Sequence, residues 1–252
     1  MKPLEIKHRV IGGGEPLICV PVVEQDAQSV IREITYLSQS TADMIERRGD
    51  AFRDFTDYNA IRSVFEAVAP LLGEKLFLYT FRTAHQGGMA QVKAEQLDDL
   101  HDLAAESGCV DLVDLEFFEE DRPLHKIKRL REMGVSVIAS HHDFEQTPSP
   151  EVMKMLLEKM CAGGADIVKL AVMPQNYKDV LNLLDVTAQF REENPDTPMS
   201  MGSLGGISRI SGETFGSCVT FGAHEKPSAP GQFAMKELRQ MLDTIHASSQ
   251  IQ

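Results

Sequence analysis

The sequence predicts an α/β fold, a closed (β/α)8 barrel with a short N-terminal strand or hairpin. Eight apolar runs recur along the chain, amphipathic segments separate them, and the 252 residues suit such a barrel. Strands that alternate with helices form a parallel sheet, and eight of them favour a closed barrel over an open sheet. No low-complexity linker interrupts the pattern, so we expect a single domain over residues 1–252.

The predicted strands are apolar runs, and a separate segment precedes the first of them. LEIKHRV and the following GGGEP predict the extra strand or hairpin. The eight barrel runs are PLICVPVV (16–23), DMIERR (43–48), KLFLYTFR (75–82), VDLVDLEFF (110–118), VSVIASHH (135–142), DIVKLAVMP (166–174), TPMSMGS (197–203) and CVTFGA (218–223).

Amphipathic stretches lie between the strands, with apolar residues three and four positions apart, the spacing of one helix face. Glycines such as Gly108 and Gly163 follow these stretches where a C-cap is expected. The segment ISRISGETFGS is short and predicts one short helix. The longer helical stretches include 26–39, 58–73, 94–108, 150–164 and 176–193.

Composition excludes several classes of function. A net charge of -13 argues against a broad nucleic-acid interface, which needs a basic face. The four cysteines form no CxxC or zinc-ligand spacing and are expected to be reduced thiols. MKPLEIKHRV lacks the apolar core of a signal peptide, and LICVPVV is too short to span a bilayer. We therefore expect a cytoplasmic protein that binds neither nucleic acid nor membrane.

Ionisable groups cluster at the C-terminal ends of the predicted strands, where barrels of this kind carry their chemistry. Any one of these charged residues could be there only because strand ends meet solvent. Six consecutive strand-helix units carry such residues, however, and this favours a functional site. The groups are Glu46, Arg48, Arg82, Asp114, Glu116, Ser140, His141, His142, Lys169 and Arg209.

Lys169 stands in the middle of an apolar run. Alternate side chains of a strand share a face, so Lys169 points with Ile167 and Ala171. If that face is the barrel interior, desolvation favours the neutral, nucleophilic amine. Such an amine forms a Schiff base with a carbonyl substrate. The alternative is a purely structural pair with an acid such as Glu116.

The adjacent His141 and His142 point to opposite faces if the strand persists, so at most one faces the site. A neutral imidazole beside an iminium carbon suits a general base. A metal site is less favoured. His142, Asp143 and the acids of the fourth strand could ligate an ion, but HExxH or a similar spacing is absent.

The loop KPSAPGQ (226–232) frames Ser228 and Gln232 with two prolines and a glycine. It is either a plain turn before the last helix or a lid whose hydroxyl and amide bind a substrate carboxylate. The loops GGG (12–14) and GGM (87–89) lack both GxGxxG and a P-loop lysine, so nothing supports nucleotide binding.

Eight motifs follow one another along the chain: IERRGD, LYTFRTAHQGG, VDLEFF, SHHDFEQTP, GADIVKLAVMP, MSMGSLGGISR, GETFGSCVTFGA and SAPGQ. In this order they resemble the type I 3-dehydroquinate dehydratases, from about residue 4 to residue 246. SxHDFxxTP, KxAVMP and SAPGQ are specific for that family when they occur together.

The resemblance implies a homodimeric (β/α)8 TIM barrel that converts the small molecule 3-dehydroquinate to 3-dehydroshikimate in the shikimate pathway of aromatic amino acid biosynthesis. It implies a hydro-lyase without metal or organic cofactor. Lys169 lies at the family's Schiff-base position and His142 at its general acid/base position. Implied carboxylate-binding residues are Arg209, Ser228 and Gln232, and residues implied to hold ring hydroxyls are Glu46, Arg48 and Arg82.

Several positions depart from the family pattern. Gln86 stands where a glutamate usually hydrogen-bonds the catalytic histidine. Its oxygen can still accept, but without charge, so we expect a less basic His142 and a lower rate. Arg47 and Gly49 replace apolar residues and should alter packing more than chemistry. Pro21 replaces a serine of some members, and GGISR has a glycine where valine is common.

Two alternatives remain open from the sequence. One is another Schiff-base barrel enzyme, such as an aldolase, although the usual aldolase motifs are absent. The other is a barrel that binds ligand but turns it over weakly because of Gln86. The lysine and histidine that are retained count against the second alternative.

Overall fold

Ten strands are present in the computed structural model, which describes residues 3–191, 199–202, 204–225 and 227–249. Each predicted barrel run contains one of them, although residues 197, 198 and 203 of the seventh run lie outside the described residues. The strands are β1 (Leu4–Ile6), β2 (Arg9–Ile11), β3 (Leu17–Val22), β4 (Met44–Arg48), β5 (Leu76–Thr80), β6 (Leu112–Glu116), β7 (Ser136–Asp143), β8 (Ile167–Val172), β9 (Met199–Ser200) and β10 (Val219–Phe221).

Eight of these strands form the predicted barrel sheet. Its order is β10-β3-β4-β5-β6-β7-β8-β9, and each pairing along it is parallel. The Nζ atom of Lys169 on β8 lies 4.4 Å from the ring centroid of Phe221 on β10. In the strand order, β10 is the first strand and β8 is the last but one. The sheet therefore curls round on itself, and the barrel prediction is confirmed.

Helices alternate with the strands and cover the outside of the sheet. Asp26, Asp57 and Ser149 cap three of them by accepting hydrogen bonds from first-turn backbone N–H groups. Within the described ranges, no helix is both long and apolar enough to cross a bilayer. The described α-helices are α1 (Ala27–Ser38), α2 (Tyr58–Val68), α3 (Ala94–Glu106), α4 (Pro123–Glu132), α5 (Pro150–Ala162), α6 (Tyr177–Phe190), α7 (Gly206–Ile210), α8 (Gly212–Phe215) and α9 (Met235–Ser249).

Two helical regions differ in detail from the predictions. Gly163 caps α5 with a helical φ of -68°, and the left-handed turn follows at Gly164, where φ is 86°. ISRISGETFGS forms two short helices, α7 and α8, rather than one. The chain turns at Ser211, and a Cβ at Gly212 would lie 2.7 Å from the ring of Pro16, the residue just before β3. This close approach brings the second helix against the barrel.

The barrel interior changes from apolar to charged along the strands. On β4, Met44 belongs to the apolar inner cluster, whereas Glu46 and Arg48 are buried farther along the same face. The antiparallel hairpin of β1 and β2 packs on this cluster through the fully buried Ile11. The hairpin therefore covers the apolar, N-terminal end and leaves the charged end for chemistry.

Candidate active site

A cavity of about 500 Å³, measured out to its open mouth, lies at the charged end of the barrel. Most of the side chains that the sequence singled out meet here. The lining residues are Glu46, Arg48, Arg82, Gln86, Gly87, His142, Phe144, Lys169, Ala171, Met201, Phe221, Ser228, Ala229 and Gln232.

Lys169 is the buried amine of this cavity and is only 5% exposed. Its Nζ lies over the ring of Phe221 and donates a hydrogen bond of 3.1 Å to Asp114 Oδ2. The sequence analysis suggested pairing with an acid such as Glu116, and the acid that pairs with the lysine is Asp114. Glu116 accepts instead from Arg82 Nη1 at 2.9 Å and from the backbone and hydroxyl of Thr83. These donors occupy both carboxylate oxygens of Glu116, and Lys169 pairs with Asp114 instead.

Arg82 organises the carboxylates beneath the cavity. Its Nη2 donates to Asp114 Oδ1 at 2.9 Å, and its Nη1 donates to Glu116 and to Ser140 Oγ. Burial works to raise the pKa of Asp114, but the positive charges of Arg82 and Lys169 outweigh it and hold that pKa well below the usual range. Asp114 therefore stays ionised and holds the amine in place.

Gln86 determines which nitrogen of His142 carries the proton. The side-chain oxygen of Gln86 lies 3.0 Å from the backbone nitrogen of His142, a group that can only donate. The same oxygen lies 3.0 Å from His142 Nδ1, so Nδ1 carries the hydrogen when the ring is neutral. Nε2 is then the basic nitrogen.

His142 is held neutral by its surroundings. Burial, followed by the positive charges of Arg82 and Lys169, lowers its pKa well below the ordinary value of 6.5. The ring of Phe144 stacks with it at 6.1 Å between centroids. The neighbouring His141 instead contacts Phe118 edge-on at 5.3 Å and does not line the cavity. Only His142 is placed to act on a ligand there.

Arg48 and Glu46 form the wall on β4. Arg48 makes a bidentate ion pair with Asp50, with both N···O distances 2.8 Å. Asp50 also accepts from the backbone nitrogens of Arg82 and Met89, so it fixes the guanidinium against two loops. Glu46 accepts a hydrogen bond of 2.8 Å from the hydroxyl of Thr80. Both side chains line the cavity in fixed orientations.

The SAPGQ loop forms another part of the rim, with Ser228 and Gln232 as lining residues. The Gln232 side-chain oxygen accepts from the Ser228 backbone nitrogen at 2.8 Å, and its Nε2 donates to Ser228 Oγ at 3.0 Å. Lys226, the first residue of KPSAPGQ, lies outside the described residues. The two polar side chains thus present one connected hydrogen-bonding surface.

Arg209 lies behind that loop and does not line the cavity. Its Nη2 donates to the Pro230 carbonyl oxygen at 3.1 Å, and its Nη1 donates to that of Phe221 at 3.4 Å. Burial lowers its pKa to about 10, so the guanidinium stays charged at neutral pH. Arg209 therefore ties the loop to β10, and its role toward a substrate carboxylate stays a prediction.

Two aromatic residues of the cavity were missed by the sequence reasoning. Phe221 lies under the amine, and Phe144 lies beside the histidine. Neither carries a chemical signal, because an aromatic residue in an apolar run is ordinarily core. The only local hint is Gly87, where φ is 79° and an added Cβ would meet the Phe144 ring at 2.6 Å. Across the part of the chain that is described, no group of three or more acidic, histidine or cysteine side chains is placed to hold a metal ion.

Similarity to known proteins extends over the whole fold. The family model for type I 3-dehydroquinase matches residues 18–249. The 3-dehydroquinate dehydratase of Syntrophotalea carbinolica is 40% identical over 250 residues, which is 98% of this chain and 99% of that protein. The enzyme of the same name from Clostridium novyi is also 40% identical, with the same coverage.

Solved structures agree with the sequence relatives. The type I 3-dehydroquinate dehydratase of Clostridium difficile, crystallised with covalently modified comenic acid, has a TM-score of 0.94 and 36% identity, covering 98% of this chain and 99% of that one. The 3-dehydroquinate dehydratase of Geobacillus kaustophilus has a TM-score of 0.96 and 34% identity, covering 99% of this chain and 98% of that one. With the barrel, its charged end and these matches in agreement, the chain belongs to the type I 3-dehydroquinase family.

Proposed function

We propose that this protein is a hydro-lyase that dehydrates 3-dehydroquinate to 3-dehydroshikimate, the step that this family supplies to the shikimate pathway. The observation that carries the proposal is the buried amine of Lys169 in the same cavity as His142. The strand register pairs His142 with Ala171, two residues beyond Lys169 on the neighbouring strand. A nucleophile and a base are thus side by side.

Lys169 acts as the nucleophile. Its ammonium group first gives up a proton, and the amine then attacks the ketone carbon of the substrate. The carbonyl oxygen takes up that proton and one from the nitrogen and leaves as water, so that an iminium ion forms. The iminium withdraws electrons from the neighbouring carbon and acidifies its C–H bond. Asp114, at 3.1 Å, orients the amine and stabilises the positive charge that the iminium carries.

His142 acts as general base and then as general acid. Nε2 removes the proton from the acidified carbon, and the electron pair of the C–H bond forms an enamine. The electron pair then expels the hydroxyl group one carbon further, and His142 returns the proton so that water leaves. Hydrolysis of the remaining iminium releases the conjugated product and the free lysine.

The remaining polar residues bind and orient the substrate. We assign Ser228, Gln232 and Arg209 to the carboxylate, since they converge on the SAPGQ loop, and Arg209 reaches that loop through Pro230. Glu46, Arg48 and Arg82 are assigned to the ring hydroxyls, since they line the same cavity in orientations fixed by partners. Orientation of this kind brings the reacting carbon to both Lys169 and His142.

A direct test is to mix the protein with 3-dehydroquinate and follow the ultraviolet absorbance of the conjugated enone that dehydration creates. The expected result is a rise in absorbance that depends on protein concentration and saturates with substrate. No absorbance change at high protein concentration would contradict the proposed reaction. An aldolase-type reaction would instead yield smaller fragments, which mass spectrometry of the products distinguishes.

Gln86→Glu is expected to raise kcat on the order of tenfold. A carboxylate at the position of the Gln86 oxygen would favour the protonated form of His142, raise its pKa and make it a stronger base. Its higher pKa would also move the acidic limb of kcat/KM to higher pH. The control is Gln28→Glu, which adds the same charge on the exposed start of α1. An unchanged rate and pH profile would show that the missing charge does not limit catalysis.

We propose a homodimer, as the resemblance implies, and place its contact on α5 and α6. Val152 and Met155 on α5 are about 40% exposed, and Tyr177 and Leu181 on α6 are 76% and 65% exposed. The two helices pack against each other, so the four apolar side chains lie on neighbouring elements. Exposed apolar side chains gathered in this way mark an association surface.

Leu181→Glu is expected to convert this dimer to a monomer, because a carboxylate at the contact would be desolvated without a partner. Light scattering should then report the 28.0 kDa chain instead of twice that mass. The matched control is Leu124→Glu on α4, where the leucine is 58% exposed on a different helix. A wild-type monomer, or a dimer that survives Leu181→Glu, would contradict this contact.

We also propose a cytoplasmic location. Support comes from the four cysteines, which are thiols rather than disulfides in the structure. Disulfides are rare in reducing compartments, and thiols are stable there.

A further inference from the structure

Arg47 carries a positive charge into the apolar layer between β4 and α2. The side chain is 3% exposed, and its guanidinium lies over the ring of Phe52 at 5.0 Å. Nη1 donates to the carbonyl oxygen of Arg48, and no other hydrogen bond or ion pair joins this guanidinium to a described residue. Burial lowers its pKa to about 10, so it remains cationic at neutral pH.

The nearest carboxylates are not available to Arg47. Asp50 is held by the bidentate contact with Arg48 and by two backbone N–H groups. Glu46 precedes Arg47 on the strand and therefore points to the opposite face, into the barrel. Asp50 attracts both Arg47 and Arg48, so one carboxylate serves two buried cations, and an exogenous anion would stabilise this region.

A small pocket adjoins the guanidinium. Arg47, Gly49, Phe52 and Tyr79 line it, together with three apolar side chains at the start of α2 and one turn beyond, Ile61, Val64 and Phe65. The Tyr79 hydroxyl is close to Gly49, where an added Cβ would lie 2.4 Å from it. This hydroxyl makes no hydrogen bond to a described residue, and burial raises its pKa, so it remains a donor.

The pocket is too narrow for a polyatomic ligand. The space measures about 270 Å³ out to its open mouth, but its interior has room for only about one water molecule. Its walls are largely aliphatic and aromatic, and a low local dielectric strengthens attraction between opposite charges. A single cationic group and a hydroxyl donor in such a space favour one compact negative charge.

We propose that this pocket is a binding site for one monovalent inorganic anion of halide size, held by the guanidinium of Arg47 and the hydroxyl of Tyr79. The site lies on the outer face of β4 and is separate from the cavity that contains Lys169. Its occupant neutralises the buried arginine and stabilises the contact between β4 and α2.

The first test is to crystallise the full chain in sodium bromide and to record anomalous scattering at the bromine edge. The expected result is a bromide peak within hydrogen-bonding distance of both the Arg47 guanidinium and the Tyr79 hydroxyl. A pocket that contains only water, with bromide confined to the arginines of the active-site cavity, would overturn the proposal.

The second test compares thermal unfolding in sodium bromide and in sodium gluconate at equal ionic strength, since gluconate is too large for the pocket. Bromide should raise Tm by a few degrees in a saturable manner in the wild type and in Arg62→Met, a control on the exposed face of α2. Arg47→Met should lose this response, and Tyr79→Phe should need several-fold more bromide. A bromide response that persists in Arg47→Met, or is absent from the wild type, would contradict the site.

Discussion

Lys169→Met is expected to lower kcat by at least about 10,000-fold, because no other side chain of the cavity can form the covalent intermediate. The fold should survive, since Asp114 keeps its ion pair with Arg82 at 2.9 Å and accepts a hydrogen bond of 2.6 Å from Ser140 Oγ. The absorbance assay measures the loss of turnover, and circular dichroism checks the fold.

The matched control for the lysine is Lys128→Met, which removes the same group from an exposed position on α4. It should retain wild-type activity. Turnover by folded Lys169→Met at a rate near that of the wild type would show that the reaction does not pass through a lysine adduct.

His142→Ala is expected to lower kcat by about 100- to 10,000-fold, the usual contribution of a positioned general acid/base. Lys169 is untouched by this change, so the variant should still form a covalent adduct with the substrate. His141→Ala is the control, since its ring faces Phe118 rather than the cavity, and it should retain most activity. Equal losses in the two variants would argue against a specific role for His142.

The same histidine sets the expected pH dependence. Its pKa lies well below 6.5 chiefly because the ring is buried, with Arg82 and Lys169 adding to the effect. A lowered pKa keeps the ring neutral, and hence basic, as the pH falls below 6.5. The acidic limb of kcat/KM should therefore lie below pH 6.5 in the wild type and disappear in His142→Ala. A limb above that pH, or one that persists in the variant, would assign it to another group.

The barrel and its charged end could be predicted from the sequence because both depend on local pattern. Six of the nine residues of DIVKLAVMP are apolar, so the run predicts a buried strand, and the alternation of side chains then places Lys169 with Ile167 in the interior. The division into two short helices, α7 and α8, was harder to predict, since the close packing of Gly212 on Pro16 is a contact between residues far apart in the sequence.

The hydrogen-bond partners of the site residues were less predictable from the sequence than the strand ends on which those residues lie. Glu116 lies level with Ser140 and, across β7, with Lys169 in the strand register, yet it is not the acid that pairs with the lysine. The reach of Arg82 decides otherwise, because its guanidinium engages Glu116 and Asp114 together. Likewise, nothing in the pattern SAPGQ indicates that Arg209 is bonded to its proline carbonyl. Such contacts depend on side-chain length and on three-dimensional packing.

The substrate is expected to become covalently bound to Lys169, and trapping of this adduct can be measured. The protein is incubated with 3-dehydroquinate, reduced with borohydride, digested and analysed by mass spectrometry. We predict a reduced adduct on the peptide that contains Lys169, formed only when substrate is present. An enzyme that produces the enone but gives no adduct, or an adduct on a different lysine, would contradict the account.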